Sequence, residues 1–450
     1  MRHSKQLPLT PPWIGHVHAA ELTAISALLD HEPRIAARVE QDLTRHCRKN
    51  PHTGRPGLTG DQVIRMALAR QMNTWTYEEL AFHLADSASY RAFCRVSPLL
   101  PPPSRSAIAA NLRLLRPATL QAINDLVVTS AAARRIESGR TVRIDSTVVE
   151  AAIHAPTDSS LLYDGIRVLL RLLRRTEHRA GFTAYHTHLK RAKRRLLQIQ
   201  HTAPQATHKR RVAYRDLVTL AQATLDYATC ALVHLDSLGT PATPALQALQ
   251  QKLAHYRGLL ERVIDQTERR VFQDVSVDAT EKVVSLFEPH ADVIIKDRRE
   301  TYYGHKIFLT GGASGLILDC AITKGNPADS TWAVPMLRRQ CALYGRVPRQ
   351  ATFDGGFAST ANLAGAKALG VRDACFAKRR GLAVLDMVKS SWVYRKLKRF
   401  RAGIESVISL LKRAFGLDRC VWKGDRGFVA YVRLGVLTAN LLTLARHQLA

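Results

Sequence analysis

Acidic residues are scarce in this chain: 37 Asp and Glu stand against 66 Lys and Arg, leaving a net charge of +29 over 450 residues and a pI near 10.4. A surplus of that size suits no enzyme of small neutral substrates and points to a polyanion, nucleic acid or an anionic membrane surface. Paired cysteines are lacking too. The seven (Cys47, Cys94, Cys230, Cys320, Cys341, Cys375, Cys420) never form a C-x-x-C pair, which argues against a disulfide framework or a thiolate zinc site and fits a reducing cytoplasm. Met1 to Leu7 holds no apolar signal core. The longest uncharged apolar stretch near the C-terminus, Leu434 to Ala445, has 12 residues, short of the ~20 that a spanning helix needs. Gly311 to Gly315 is not followed by Gly-Lys-Ser/Thr, so it is no P-loop. A soluble, cytoplasmic, basic protein remains, and its length is about three times a ~150-residue domain.

The chain changes character along its length. Pro8, Pro11, Pro12, Pro33 and Pro51 punctuate the start, around one amphipathic stretch from Ala19 to Leu43. From Gly57 helical spacing takes over, with Thr59 or Gly60 as a start. A second helix follows from Thr76 to Leu84. Two short helices across a tight turn read either as a helix-turn-helix or as a small packing or dimerisation bundle. Pro101-Pro102-Pro103 closes this unit, and helices run from Ser106 to about Ile136. At Arg140 the period becomes two: Thr141 to Val149 is β-branched and predicts a strand. Lys306 to Thr310, a Gly311–Gly315 turn and Leu316 to Ile322 predict a hairpin. The rest alternates: a helix over 328–344, a strand at 350–353, a helix over 359–369, a strand at 372–377 and closing helices. Between the strand regions, about Ser159 to Val271 reads as helix, with loops near Ala203-Pro204 and from Gly239 to Pro244. Strands interleaved with helices around a long helical insertion make an interrupted α/β domain.

The insertion is strongly basic. From Gly165 to Arg215 there are 14 Lys or Arg and one acid, Glu177, with Asp216 just beyond. Leu169, Leu170, Leu172 and Leu173 between the cations mark a folded unit. Such a run is either a solvated face or a phosphate-binding surface, and binding through it would be salt-dependent.

Three acids stand out by context. Asp145 lies mid-strand, on one face with Arg143 and Thr147 and opposite Val142, Ile144 and Val148. A charge there is costly unless paired or on a metal. Asp354 ends the strand 350–353 ahead of Gly355-Gly356, just past a strand's C-terminal end, where open α/β sheets place ligands. Glu405 shares a helix edge with Arg401 and Lys412, within roughly 40° at ~100° per residue, beside a core-facing stripe of Ile404, Ile408, Leu411 and Phe415. By itself that helix equally reads as an ordinary amphipathic one with an i,i+4 ion pair.

Together, Asp145, Asp354-Gly355-Gly356 and the R-x3-E-x6-K run Arg401, Glu405, Lys412 resemble a DDE-class bacterial insertion-sequence transposase. Ile144 to Glu150, His154, Pro156 to Leu162, Asp164-Gly165 and Gly325 to Ser330 are similar to the ISNCY group. The resemblance extends from about Gly57 to the C-terminus. It departs where the family's signature has a Tyr three residues before the Arg, because Lys398 stands here.

The resemblance implies an RNase H-like core, a mixed sheet flanked by helices. The expected organisation is a helical DNA-binding or dimerisation region at 1–136, the first part of the core at 137–158, a basic helical insertion at 159–272 and the rest of the core with C-terminal helices at 273–450. It also implies two Mg²⁺ ions (Mn²⁺ substituting) held by Asp145, Asp354 and Glu405, and metal-dependent cleavage and joining of double-stranded DNA at terminal inverted repeats and target. Arg401, Lys412, Lys398, Lys378, Arg194 and Arg195 are the candidate DNA contacts, and synapsis of two ends implies at least a dimer near the nucleoid. A metal-dependent nuclease that does not join, and a non-catalytic DNA-binding relative, are the alternatives. Asp319, on a hairpin position where a solvent-exposed acid is ordinary, and Asp329 are substitute ligands. His305 reads as a structural or phosphate-touching histidine. Ser146 and Thr147 lack the histidine motif of a hydrolase triad.

Overall fold

The computed structural model describes residues 16–45, 57–238, 243–296 and 300–450. The N-terminal heptapeptide, Pro8, Pro11, Pro12, Pro51, Cys47 and the start of the Gly239 to Pro244 loop lie outside them. The chain forms two compact units, residues 1–151 with 305–450, and residues 152–304.

The first unit opens with α1 (Val17–Asp30) and α2 (Arg34–Thr44). They divide the stretch expected as one because Pro33, at the N-cap of α2, cannot donate to a continuing helix. α3 (Gly60–Met72) and α4 (Tyr77–Asp86) each start in a capping box. Thr59 Oγ1 accepts the Gln62 N–H at 3.1 Å while Gln62 Oε1 accepts the Thr59 N–H at 3.0 Å. α5 (Ala88–Phe93), α6 (Arg105–Leu112) and α7 (Pro117–Ala133) complete the bundle. α3 is buried almost all round, and α4 turns Glu78, Glu79 and Asp86 to solvent. Those acids repel phosphate, which favours the bundle reading of this pair over a groove-reading α4.

Arg65 of α3 is wholly buried, 2.6 Å from Asp30, 2.8 Å from Asp61, and donates to Ser26 at 2.7 Å. Arg95 also pairs with Asp30 and, at 2.9 Å, with Asp61, so neither acid is left without a cation, and Arg65→Met is expected to lower stability by about 1–3 kcal/mol in urea unfolding. A loss under 1 kcal/mol contradicts that role.

β1 (Thr141–Ala151) follows. The second unit then builds α8 (Asp158–Ala180), α9 (Leu189–His201), α10 (Thr207–Ser237) and α11 (Pro244–Thr267) around their own leucine-rich core. The break between α8 and α9, where Gly181 turns left-handed at φ +71°, was not among the expected loops, although a glycine there is a helix C-cap signal. β2 (Asp292–Lys296) pairs antiparallel with the first half of β3 (Glu300–Gly311), as far as Gly304. Residues 273–304, expected with the core, thus belong to the second unit, as do 152–158.

From His305 the chain is back in the first unit. β3 continues antiparallel to β4 (Ile317–Ile322), the hairpin expected from the sequence. Then come α12 (Ala333–Tyr344), β5 (Gln350–Phe353), α13 (Thr360–Ala368), β6 (Asp373–Phe376), α14 (Val384–Met387), α15 (Ser391–Ala414), β7 (Arg419–Cys420) and α16 (Gly424–Leu449). The sheet is mixed: β1 lies between β3 and β5, β5 and β6 run parallel to it and to each other, and β7 pairs parallel with its end.

One hydrophobic core joins the N-terminal helices to this sheet, so the 1–136 region is not a separate domain. The piece that joins them is α16, which packs on α1, α3 and α7. Asn440 accepts the Ile317 N–H at 2.8 Å, donates to the Ile317 carbonyl at 2.8 Å and donates to Asn124. The 12-residue run read as too short to span a membrane is part of this helix. Continued through Arg433, α16 is long and apolar enough to cross one, and 83% of its most apolar window is buried inside the protein.

Candidate active site

β1 and β5 stay in parallel register as far as Ile144 opposite Phe353. Asp145 and Asp354 are the next residues on each strand, so pairing alone brings these two acids side by side. Glu405 comes from α15, which lies across β1 and β5. Ile404 and Leu411 are buried beneath that helix, which leaves its Arg401–Glu405 edge facing the strand ends.

Arg401 gathers the three acids. Its Nη1 lies 3.3 Å from Asp145 Oδ2 and 3.3 Å from Asp354 Oδ1, and its Nη2 lies 2.5 Å from Glu405 Oε1. The Asp145 side chain is 14% exposed and that of Glu405 61%. Burial raises the Asp145 carboxyl from the ordinary aspartate range to about 6. The Ser146 N–H at 2.8 Å and Arg401 oppose that rise, and Asp354 and Asp329 add to it.

Close packing holds α15 on β1. A Cβ on Gly403 would meet Arg143 Nη1 at 1.9 Å. The guanidinium cannot easily retreat, since it stacks 4.9 Å from the Phe400 ring centroid and donates to the Phe400 carbonyl at 3.2 Å. Gly403→Val is therefore expected to lift the Glu405 edge away from Asp145 and cost about 1–3 kcal/mol. Thermal melts measure the cost, and unchanged stability contradicts this packing.

A fourth acid flanks the site. Asp329 accepts from Ser146 Oγ at 2.9 Å, pairs with Lys306 Nζ at 2.7 Å and lies so close to Gly356 that a Cβ there would meet Asp329 Oδ2 at 2.7 Å. Ser146 Oγ holds Asp329 while its N–H donates to Asp145 Oδ1 at 2.8 Å. The sequence offered Asp329 only as a substitute ligand within the Gly325 to Ser330 motif. Lys306 was missed as a site residue, although its strand had been placed. Asp319 is not the exposed acid expected: it is buried on β4 and gripped by the Arg339 fork at 2.5 and 2.7 Å. His305 is buried edge-on against Phe428, which fits the structural reading.

The candidate DNA contacts divide. Lys378 is exposed and its stem covers Gly355, where a Cβ would meet Lys378 Cβ at 2.7 Å, so it stands beside Asp354. Lys398 is exposed on α15. Lys412 is tied to Asp418 at 3.3 Å. In the second unit Arg194 is exposed on α9, whereas Arg195 and Arg191 both pair with Asp216 at 2.5 Å, the acid just past the basic run.

Residues 258–441 match a family model described as the transposase DDE domain, and residues 15–114 match one described as a transposase domain (DUF772). The chain carries a transposase DDE domain. Asp354 and Glu405 lie within the match and Asp145 lies ahead of it. No curated protein and no solved structure matches the chain. The transposase has DNA as its substrate and uses a divalent metal. Its site fits such an ion. The candidate donors would be three carboxylates from three elements, hard oxygen ligands with no sulfur or imidazole among them, which suits Mg²⁺ or Mn²⁺. One of the three is buried beside other acids and is ionised most readily when a cation is near.

Proposed function

We propose that the transposase binds the ends of its own insertion sequence and carries out cleavage and strand transfer at a site formed by Asp145, Asp354 and Glu405. The observation that carries this reading is the convergence of the three carboxylates on Arg401. The reaction is an in-line displacement at phosphorus. Water attacks the phosphodiester at the element's end, its proton leaves, and a 3′-hydroxyl departs with the cleaved strand. That hydroxyl then attacks a phosphodiester of the target, expelling the target's own 3′-oxygen.

Asp145, Asp354 and Glu405 would hold two divalent ions, Mg²⁺ with Mn²⁺ substituting, and these would supply activation of the attacking oxygen and stabilisation of the leaving one. The chain's own groups position the DNA. Lys378 beside Asp354 and Lys398 on α15 meet phosphates flanking the scissile one, and the exposed arginines of α8 and α9 neutralise DNA backbone. Two ends held for joining call for two copies of the chain. Arg194→Ala is expected to weaken binding to all duplexes alike and to lower the salt slope of binding by about 1. A sequence-dependent loss with an unchanged slope contradicts a phosphate contact.

The direct test uses purified protein, labelled duplexes carrying the DNA that flanks the gene, and Mg²⁺ or none, with Asp354→Asn alongside. Nicks at the ends together with joined products, both lost in the variant, are the expected result. Cutting without joining indicates a nuclease. Salt-sensitive binding with no cutting in either metal indicates a DNA-binding protein and removes the assignment of the three acids.

A further inference from the structure

We infer that Arg401 is an internal cation that occupies the metal position of the free protein, and that phosphate draws it out, so DNA and metal bind cooperatively. The inference rests on the reading of Asp145, Asp354 and Glu405 as the metal ligands.

The argument is one of space and charge. A single nitrogen, Arg401 Nη1, is 3.3 Å from one oxygen of Asp145 and 3.3 Å from one of Asp354, and its neighbour Nη2 reaches Glu405. That nitrogen fills the gap the two aspartates would close upon. A divalent ion held at roughly 2.0–2.1 Å by the same oxygens cannot share the space with the guanidinium.

A guanidinium does not lose its proton in a protein, so the conflict is not relieved by titration and Arg401 has to move. It is held firmly meanwhile, with a side chain 14% exposed and three carboxylates around it. Without it, the three acids would face one another with no counter-charge in reach of all of them. Lys378 lies over Gly355, Lys412 is on Asp418, and Lys306 is engaged by Asp329.

Arg401 stands on the α15 edge that also carries the exposed Lys398. A DNA phosphate arriving at that edge offers the guanidinium a bidentate acceptor. Withdrawal of Arg401 then leaves three uncompensated carboxylates, and divalent ions enter. Linkage makes the effect reciprocal: whatever factor DNA adds to metal affinity, metal adds to DNA affinity. Free transposase is thereby kept from a loaded, cutting state away from DNA.

The experiment titrates Mn²⁺ into the full-length protein by calorimetry, with and without a short duplex of the gene's flanking DNA, for wild type, Arg401→Gln, Arg401→Lys and Asp354→Asn. Wild type is expected to bind Mn²⁺ more tightly with duplex present, by on the order of tenfold. Arg401→Gln should bind Mn²⁺ as tightly without DNA as wild type does with it, and lose the dependence on duplex. Arg401→Lys, which keeps the charge, should retain part of the dependence. Thermal melts in EDTA check folding: Arg401→Gln should melt lower than wild type and recover with Mn²⁺. If Arg401→Gln binds Mn²⁺ no better than wild type, or remains responsive to duplex, Arg401 is not the occupant. If Asp354→Asn binds Mn²⁺ as wild type does, the metal-site reading itself falls, whatever Arg401 does.

Discussion

Asp354→Asn, Asp145→Asn and Glu405→Gln are each expected to remove cleavage and joining together, by on the order of 10⁴-fold, and the triple variant should lose little more than any single one. Residues that act as a unit are non-additive, because the loss of one leaves the others nothing to complete. The three acids come from the middle of β1, the end of β5 and one helix, so no pair of them reproduces the full donor set. Duplex binding should survive, since the exposed cations of α8, α9 and α15 are untouched. Single-turnover assays on pre-nicked ends separate the two steps. Additive losses across the three variants, or loss of cleavage with joining intact, contradict a shared site.

The second large effect is on stability and has the opposite sign. Asp145 has its folded-state carboxyl raised from the ordinary 3.8 to about 6, chiefly by burial. A raised group stabilises the fold below its unfolded value, and that contribution is lost as pH rises through the folded value. The metal-free wild type is therefore expected to lose stability between about pH 4 and 6, by about 3 kcal/mol from this residue at most. Asp145→Asn carries no such charge. In EDTA at pH 8 it should be more stable than wild type by up to that amount, and the two should converge near pH 4. Mn²⁺ should stabilise wild type at pH 8 and leave the variant unchanged. Urea unfolding across this range measures it, and a variant less stable than wild type at pH 8 contradicts a desolvated Asp145.

The mixed fold was legible because its signals are local. β-branched Thr141 to Val149, the glycine turn after Thr310 and the short stretch Gln350 to Phe353 ahead of Asp354-Gly355-Gly356 each specify their strands without outside help. Asp145 and Asp354 were legible as charges where such strands have none. What escaped notice depended on distance along the chain. Arg401 was assigned to DNA from its place on a helix edge, and nothing in the sequence says that it touches two acids from strands formed over 250 residues and nearly 50 residues earlier. Lys306 acquires meaning only through Asp329. Asp319 reads as a solvent-facing hairpin acid until Arg339 folds over it. The N-terminal helices looked like a separate domain because their partner, α16, is the last element of the chain. Pro33 shows the converse, a single residue that divides a helix the periodicity had joined.

The packing of α16 on α1 has a consequence for the order of events at the ribosome. Arg446 near the end of the chain pairs with Glu21 near its beginning at 2.7 Å, and the leucines of α16 fill the centre of the core. At ~5–20 residues per second, β1 emerges and then waits on the order of ten seconds while the second unit is made. The strands that complete its sheet, and the helix that closes its core, come later still. No active site exists on a nascent chain before α15 and α16 have emerged. A messenger cut short before Gly424 yields a product without its central helix, an exposed apolar sheet fit for proteolysis and not a weaker enzyme.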